Sequence, residues 1–319
     1  MKFELLGTAS PALQLQLQWI WFSRSMASFI AGDERKAFAI SVSSPTTTTP
    51  LLAARPVDSS SPSHHPCNLP IPDELYSEFA QQPWHGCRFL DCSAYDRAND
   101  KDGHPIGDVL RTLVFGPNYG HYVLHPASGM VLSLRSGSIE LLRRTPDGFT
   151  WVDQTRTRGK ASLAFAGHPT EPLIAYGDNA GTFHAQRFDE SGFGKATKIV
   201  TKERKASRLE FSADGTSLML GGMGYLAAMA CEKSKFTARH ETSIAVKDFV
   251  WDDASGHVFV NQGLHGVSVF KYSEAGFVKL ADVKSAEGVQ QFTFSSDFKH
   301  MAVTSQQSAA VGVYGIIPP

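Results

Sequence analysis

The chain has 319 residues, with 42% apolar and 19% charged side chains, 27 Gly and 17 Pro. That is the composition of a folded globular protein, so disorder along the whole chain is excluded. Lys and Arg number 30 against 31 Asp and Glu, a net charge of −1. This balance gives no general electrostatic reason to bind nucleic acid or an anionic membrane, and neither is expected as a partner.

Residues 2–8 read as an apolar strand, with Phe3, Leu5 and Leu6 beside one base, Lys2, and an early acid, Glu4. Such a start makes a poor secretory signal. Its pattern matches residues 277–283, so 2–8 is expected to supply the outer strand of the last structural unit. Residues 12–57 form a first unit of four strands: 13–22, 26–30, 36–40 and 51–57, with Asp33 in the turn between the second and third. No run approaches the roughly 20 apolar residues of a spanning helix. The chain is expected to be soluble, without a signal peptide or transmembrane segment, in the cytoplasm or in a virion-like assembly.

Residues 58–119 break the pattern. The stretch 59–66 is Ser, Pro and His, which is loop chemistry. Residues 72–79 suit a short helix with Asp73 near its start. Only 87–91 and 109–115 read as strands. The segment is either an insertion or a degenerate repeat. Tyr76, Phe79, Trp84, His85 and Tyr119 lie in or beside it and are the leading interaction surface, because aromatic side chains anchor interfaces. A small core under the loop would account for them equally well. Cys67, Cys87, Cys92 and Cys231 are too few for a disulfide scaffold, and the Cys87–Cys92 spacing is not a standard zinc pair. Reduced thiols and no cofactor are expected.

From residue 120 one pattern recurs: an apolar strand, a polar turn, a second apolar strand. Leu209 and Phe211 begin one copy; Phe249 and Trp251, and Phe292 and Phe294, begin the next two. The turn positions His125, His168, Ser212, Asp252 and Ser295 follow one another at intervals of 40–44 residues. A third and a fourth strand follow in each copy, joined by short polar turns. Four antiparallel strands every ~40–45 residues is the signature of a propeller blade. The expected fold is therefore all-β: a single β-propeller over 1–319, of seven or six four-stranded blades. Residues 2–8 close the last blade, 12–57 make the first, 58–119 is irregular, and 120–319 is regular.

The turn Phe211, Ser212, Ala213, Asp214, Gly215 resembles that of the WD40-like and YVTN-type propeller families. Ala213 stands where those turns usually carry Pro, and the Trp-Asp ending and Gly-His start of true WD40 units are missing. The resemblance covers residues 120–319 well and 1–57 loosely. It implies an interaction platform, or less often a hydrolase or lactonase with a divalent ion at its central mouth. Oxygen donors would suit such an ion, and Asp178, Asn179, Asn261, His265 and Glu287 are the candidates. Polar turns need no such cause, however. His125 and His168 hold equivalent repeat positions, which explains both.

No Gly-x-Ser-x-Gly or Gly-x4-Gly-Lys motif occurs. Gly221, Gly222, Met223 and Gly224 read as a hairpin turn. Arg143, Arg144, Arg156, Arg158, Lys160, Lys202, Arg204 and Lys205 make the most basic stretch. It is either a solvated outer face or a site for an acidic partner. The runs of Thr at 46–49 and of Ser and Pro at 59–66 would be ordered by packing against neighbouring subunits in a large assembly, for instance a phage particle. The expected function is a non-catalytic interaction or structural module whose partners are other protein subunits, with no small-molecule substrate. The alternative is a metal-dependent propeller hydrolase or lactonase.

Overall fold

The computed structural model describes residues 1–10, 19–23, 27–32, 36–53, 69–70, 89–90, 112–113, 121–124, 128, 130–135, 138–145, 148–156, 164–177, 180–199, 205–285 and 287–318. Among them the chain folds into seven antiparallel sheets and one turn of 3-10 helix. Sheet one holds β2 (Trp19–Ser23), β3 (Ser28–Gly32), β4 (Lys36–Ser41) and β5 (Thr49–Ala53). Sheet two has three two-residue strands, β6 (Leu69–Pro70), β7 (Phe89–Leu90) and β8 (Thr112–Leu113). Sheet three holds β9 (His121–Leu124), β10 (Met130–Arg135), β11 (Ser138–Thr145) and β12 (Gly148–Arg156). Sheet four holds β13 (Ala164–Gly167), β14 (Leu173–Gly177), β15 (Phe183–Asp189), β16 (Gly192–Phe193) and β17 (Thr197–Ile199).

Sheet five is β18 (Ala206–Phe211), β19 (Ser217–Gly222), β20 (Tyr225–Glu232) and β21 (Lys235–Thr242). Sheet six is β22 (Asp248–Asp252), β23 (His257–Asn261), β24 (Val267–Ser273) and β25 (Gly276–Val283). Sheet seven is β26 (Val289–Phe294), β27 (His300–Ser305) and β28 (Val311–Ile317), and its outer strand is β1 (Lys2–Ala9). Lys2 lies opposite Ile317 and Ala9 opposite Val311, so the N-terminal residues complete a sheet begun 280 residues later.

Sheets three to seven stack face to face in chain order, and sheet seven meets sheet one. Tyr176 and Phe188 of sheet four pack on Leu132 and Leu141 of sheet three. Leu209 and Phe211 of sheet five pack on Leu173 and Phe183 of sheet four. Phe249 and Trp251 of sheet six meet Met219 and Leu226 of sheet five. Phe292 and Phe294 of sheet seven meet Phe259 and Val269 of sheet six. Val311 and Val313 then pack on Ile20 and Phe29 of sheet one. The apolar pair at the start of each repeat is thus the wedge that joins one sheet to the one before. Second strands, covered on both faces, are wholly buried, as β14 and β19 are. Fourth strands such as β21 are largely exposed.

An extra residue recurs in the outer strand: Leu6, Leu51, Val152, Arg239 and Leu280 each stand unpaired in a register shift of their ladder. Such bulges increase local twist, which five sheets here share. Two first strands are also bulged, at Ser207 and Gln290.

Alternating strands put the connections at two opposite ends. One end, the turn end, carries the links between first and second strands. There Asp214 accepts from Ser212 Oγ at 2.7 Å and from Thr216 N at 2.9 Å. Ser295 and Asp297 repeat the device, with 2.7 Å between hydroxyl and carboxylate. These hydroxyl bonds hold both acids below the ordinary Asp range. Gly215 needs its φ of +75°, and a Cβ there would lie 2.1 Å from the His168 ring. The other end, the connection end, carries the links between second and third strands and between sheets. The Thr-rich run lies in the link between β4 and β5, a third-to-fourth strand link and so at the turn end, and it is held locally: Thr47 donates through N to the Ser44 carbonyl at 3.2 Å and through Oγ1 at 3.0 Å. The Ser/Pro run 59–66 lies outside the described residues, as do Cys67, Cys87 and Cys92. Cys231 is buried in the core of sheet five, and that burial raises its thiol pKa. Among the described residues no helix is long and apolar enough to cross a membrane.

Candidate interaction face

Two turns at the connection end present bare apolar side chains. Met223, between β19 and β20, is 90% exposed. Gly224 beside it takes φ +86°, and a Cβ on Gly222 would lie 2.2 Å from the Lys205 carbonyl. The turn thus sits flush against the preceding connection, in a backbone conformation that glycine permits. Leu264, in the 3-10 turn Gly263–His265 after β23, is 65% exposed. Asn261 is fully buried and fixes that turn: its Oδ1 accepts from Gly263 N at 2.8 Å, and its Nδ2 donates to the Gln290 carbonyl at 3.4 Å. Gly266 closes the turn at φ +89°, where a Cβ would lie 2.1 Å from the Val283 carbonyl. Leaving Leu or Met in water forgoes about 1.5–3 kcal/mol each. Met223 and Leu264 are thus two exposed apolar tips on turns of neighbouring sheets at the same end.

Charge surrounds these tips. Lys205, Lys247 and Lys284 are exposed on the three successive connections between sheets. Lys247 Nζ donates to Gln290 Oε1 at 3.0 Å, and burial lowers its pKa. Glu287 is the acid of this loop cluster, and its Oε2 accepts 2.6 Å bonds from both Ser305 and Ser308, which hold its pKa down. On the first strands beneath, Arg208 lies 3.7 Å from Asp248 and 3.8 Å from Glu210. One guanidinium serves two carboxyls. Burial pushes Glu210 up to about 7, with Arg208 opposing, and raises Asp248 as well. Glu210 stands where the next two repeats carry Val250 and Thr293.

A pocket of about 200 Å³ opens between sheets four and five at the same end. Phe183, Leu220, Tyr225 and Met229 line it, with Arg239 and Glu241 at its edge.

The residues nominated from sequence fall in several places. Tyr76, Phe79, Trp84, His85, Tyr119, Asp178, Asn179 and His125 lie outside the described residues. Asn261, His265 and Glu287 do share the connection end, but Asn261 and Glu287 are occupied by the bonds just given. Among the described residues no three His, Cys, Asp or Glu side chains could hold a metal ion together. His168 is buried at the turn end. Its Nδ1 accepts from the N–H groups of Thr170 and Glu171 at 3.2 and 3.0 Å, leaving Nε2 to donate to the Gly215 carbonyl at 3.1 Å. It is a clamp between neighbouring sheets. Asp252, Ser255 and His257 also meet, but the hydroxyl stands between the other two, with Nδ1 at 2.6 Å. A nucleophilic triad needs the imidazole in the middle.

The stacking of four-stranded sheets has counterparts among solved structures. A chain of the mitotic checkpoint complex superposes with a TM-score of 0.62 at 13% identity, covering 99% of this chain and 95% of that one. The structure of U3-55K gives 0.65 at 10% identity, covering 98% of each chain. The RRP9 WD40 repeats give 0.64 at 10% identity, covering 99% of this chain and 97% of theirs. The fold is that of a β-propeller. Its likeness is to WD40-repeat propellers, and at such low identity it concerns fold alone. No protein-family model matches the sequence, and no curated protein is similar to it.

The exposed tips of this propeller were missed in the sequence. Gly221, Gly222, Met223 and Gly224 do form the expected hairpin turn between β19 and β20. The overlooked signal was a single large apolar residue framed by glycines, which occurs at Met223 and again at Leu264.

Proposed function

We propose that this chain is a non-catalytic protein-interaction module, and that the connection end of sheets five to seven is its contact face. The reading is carried by the exposure of Met223 and Leu264 on glycine-bearing turns of adjacent sheets. A surface that is rigid before binding loses little conformational freedom on binding, which favours recognition. A chain of similar fold occurs in the mitotic checkpoint complex, in keeping with such a role. The whole chain acts as one propeller in this proposal, with 58–119 as an insertion or a degenerate blade and a second place for contact. Membership of a fixed assembly, a virion particle included, is the narrower form of the reading.

The native mass tests it. Light scattering on material from the natural source is expected to give a particle several times the mass of the chain. Met223→Glu with Leu264→Glu is expected to release the chain at monomer mass with an unchanged melting point. A parent already at monomer mass, or a double variant retained in the particle, overturns the proposal.

A further inference from the structure

We propose that this face takes an acidic, extended peptide segment carrying an apolar side chain; the inference rests on the interaction reading above and names its partner. The charges select the class. Lys205 flanks the Met223 turn, since its carbonyl lies where a Cβ of Gly222 would go. Lys247 Cδ lies 3.9 Å from the equivalent point on Gly263, at the base of Leu264. Lys284 Cα lies 3.3 Å from that of Gly266, on the far side of the same turn. Three cations and two aliphatic tips therefore share one run of adjacent loops.

The acids nearby are already engaged within the chain. Glu287 is held by two hydroxyls, as above. Asp282 accepts from Lys279 at 2.8 Å and from Ser268 at 2.5 Å. Asp248 is buried against Arg208 and accepts from its own neighbour Phe249 N at 2.9 Å. Glu241 stands at the outer rim of the pocket, beside Arg239. Hydroxyl bonds leave Glu287 its charge, but that one carboxylate stands against Lys205, Lys247 and Lys284, so cations are in excess at the tips although not in the chain as a whole. Carboxylates on the partner complement that excess. An apolar side chain between them covers Met223 and Leu264, and the adjacent pocket of about 200 Å³ has room for one such side chain. Nucleic acid also carries negative charge, but the tips are aliphatic and offer no aromatic platform for bases.

Selection from a random 12-residue peptide library on the full-length chain tests this, followed by fluorescence anisotropy of the enriched peptides. The expected winners place Asp or Glu on both sides of Leu, Ile or Phe. Their binding should weaken about tenfold or more between 50 and 500 mM NaCl, as exposed charge pairs are screened. Lys205→Glu with Lys284→Glu should weaken it by a similar factor. So should Met223→Ser with Leu264→Ser. Lys233→Glu with Lys235→Glu, at the opposite end, should leave it unchanged. Winners that are neutral or basic, or binding indifferent to Lys205 and Lys284, overturn the proposal. So does a single-stranded 20-nucleotide probe that displaces the acidic peptides. If the native particle dissolves with the Met223 and Leu264 variant while the winners are not acidic, the interaction reading stands and this inference alone fails. If the native chain is a monomer and no peptide is enriched, both fail.

Discussion

The two ends of the sheets use the same kind of strand linkage for opposite purposes. At the turn end, several links are tied to a neighbouring sheet. His168 reaches the Gly215 carbonyl, Ala213 N donates to Asp253 at 3.0 Å, and Phe193 N donates to Asp153 at 2.8 Å. These bonds cross from one sheet to the next, so the polar groups of the turns are spent on holding the stack together. The connection end also has bonds between sheets, as from Asn261 Nδ2 to the Gln290 carbonyl, but Asn261 Oδ1 also shapes its own turn through Gly263 N, and the turn's tip stays bare. The contrast teaches that exposure of Met223 and Leu264 is not looseness. At Leu264 it is a turn tied by its own hydrogen bonds whose side chain is left uncovered.

The largest effect should come from the strand that joins the two chain termini. Deleting residues 1–9 removes the ladder to β28 and takes Ala9 out of the core cluster that holds Val311 and Val313. We expect a loss of roughly 5 kcal/mol and a melting point lower by roughly 10 °C or more. A truncated chain that melts with the parent would remove β1 from any account of stability.

Next in size is the turn end itself. Gly215→Ala forces a Cβ into His168 at a positive φ, and His168→Ala leaves three bonds unmade. Each should cost about 1–3 kcal/mol in urea unfolding. If neither moves the midpoint, the clamps are ornaments and the contrast between the ends is lost.

Glu210 links stability to pH beneath the contact face. Arg208, Asp248 and Asp253 face its carboxyl, with Trp251 N–H donating to it. The folded pKa, about 7, lies above the ordinary 4.5, so the folded chain holds that proton more tightly. Its contribution is therefore full below pH 4.5 and is lost as pH rises through about 7. The side chain is about 20% exposed, which tempers the size. Glu210→Gln should match the parent near pH 4.5 and exceed it by about 2 kcal/mol at pH 8. Equal midpoints of parent and variant at pH 8 would refute the buried placement.

The smallest change in stability is expected at the tips. Met223→Ser with Leu264→Ser should alter unfolding by no more than about 0.5 kcal/mol. A larger loss would mean that these residues serve the fold, and the two ends would no longer differ.

The repeat was legible in the sequence because its causes are local. Leu209 with Phe211, Phe249 with Trp251, and Phe292 with Phe294 sit at alternate positions, and alternation alone makes one face of a strand apolar. Asp214 and Gly215 announce a turn because a short carboxylate and a bare backbone suit that geometry wherever they occur. Period, strand type and turn chemistry followed, and with them the propeller. The candidate site did not follow. Asp178, Asn179, Asn261, His265 and Glu287 were chosen as polar residues in turns, but polarity does not say whether a side chain is already bonded. Glu287 is satisfied by Ser305 and Ser308, 18 and 21 residues onward. Likewise Arg208 meets Asp248 only because two sheets bring their first strands together. Exposure, bonding and shifted acidity depend on neighbours distant in the chain. The sequence by itself determined which strands form and how they turn. Only the packing of sheet upon sheet decided which tips stay bare, since burial is a property of what lies across from a residue and not of the residue itself.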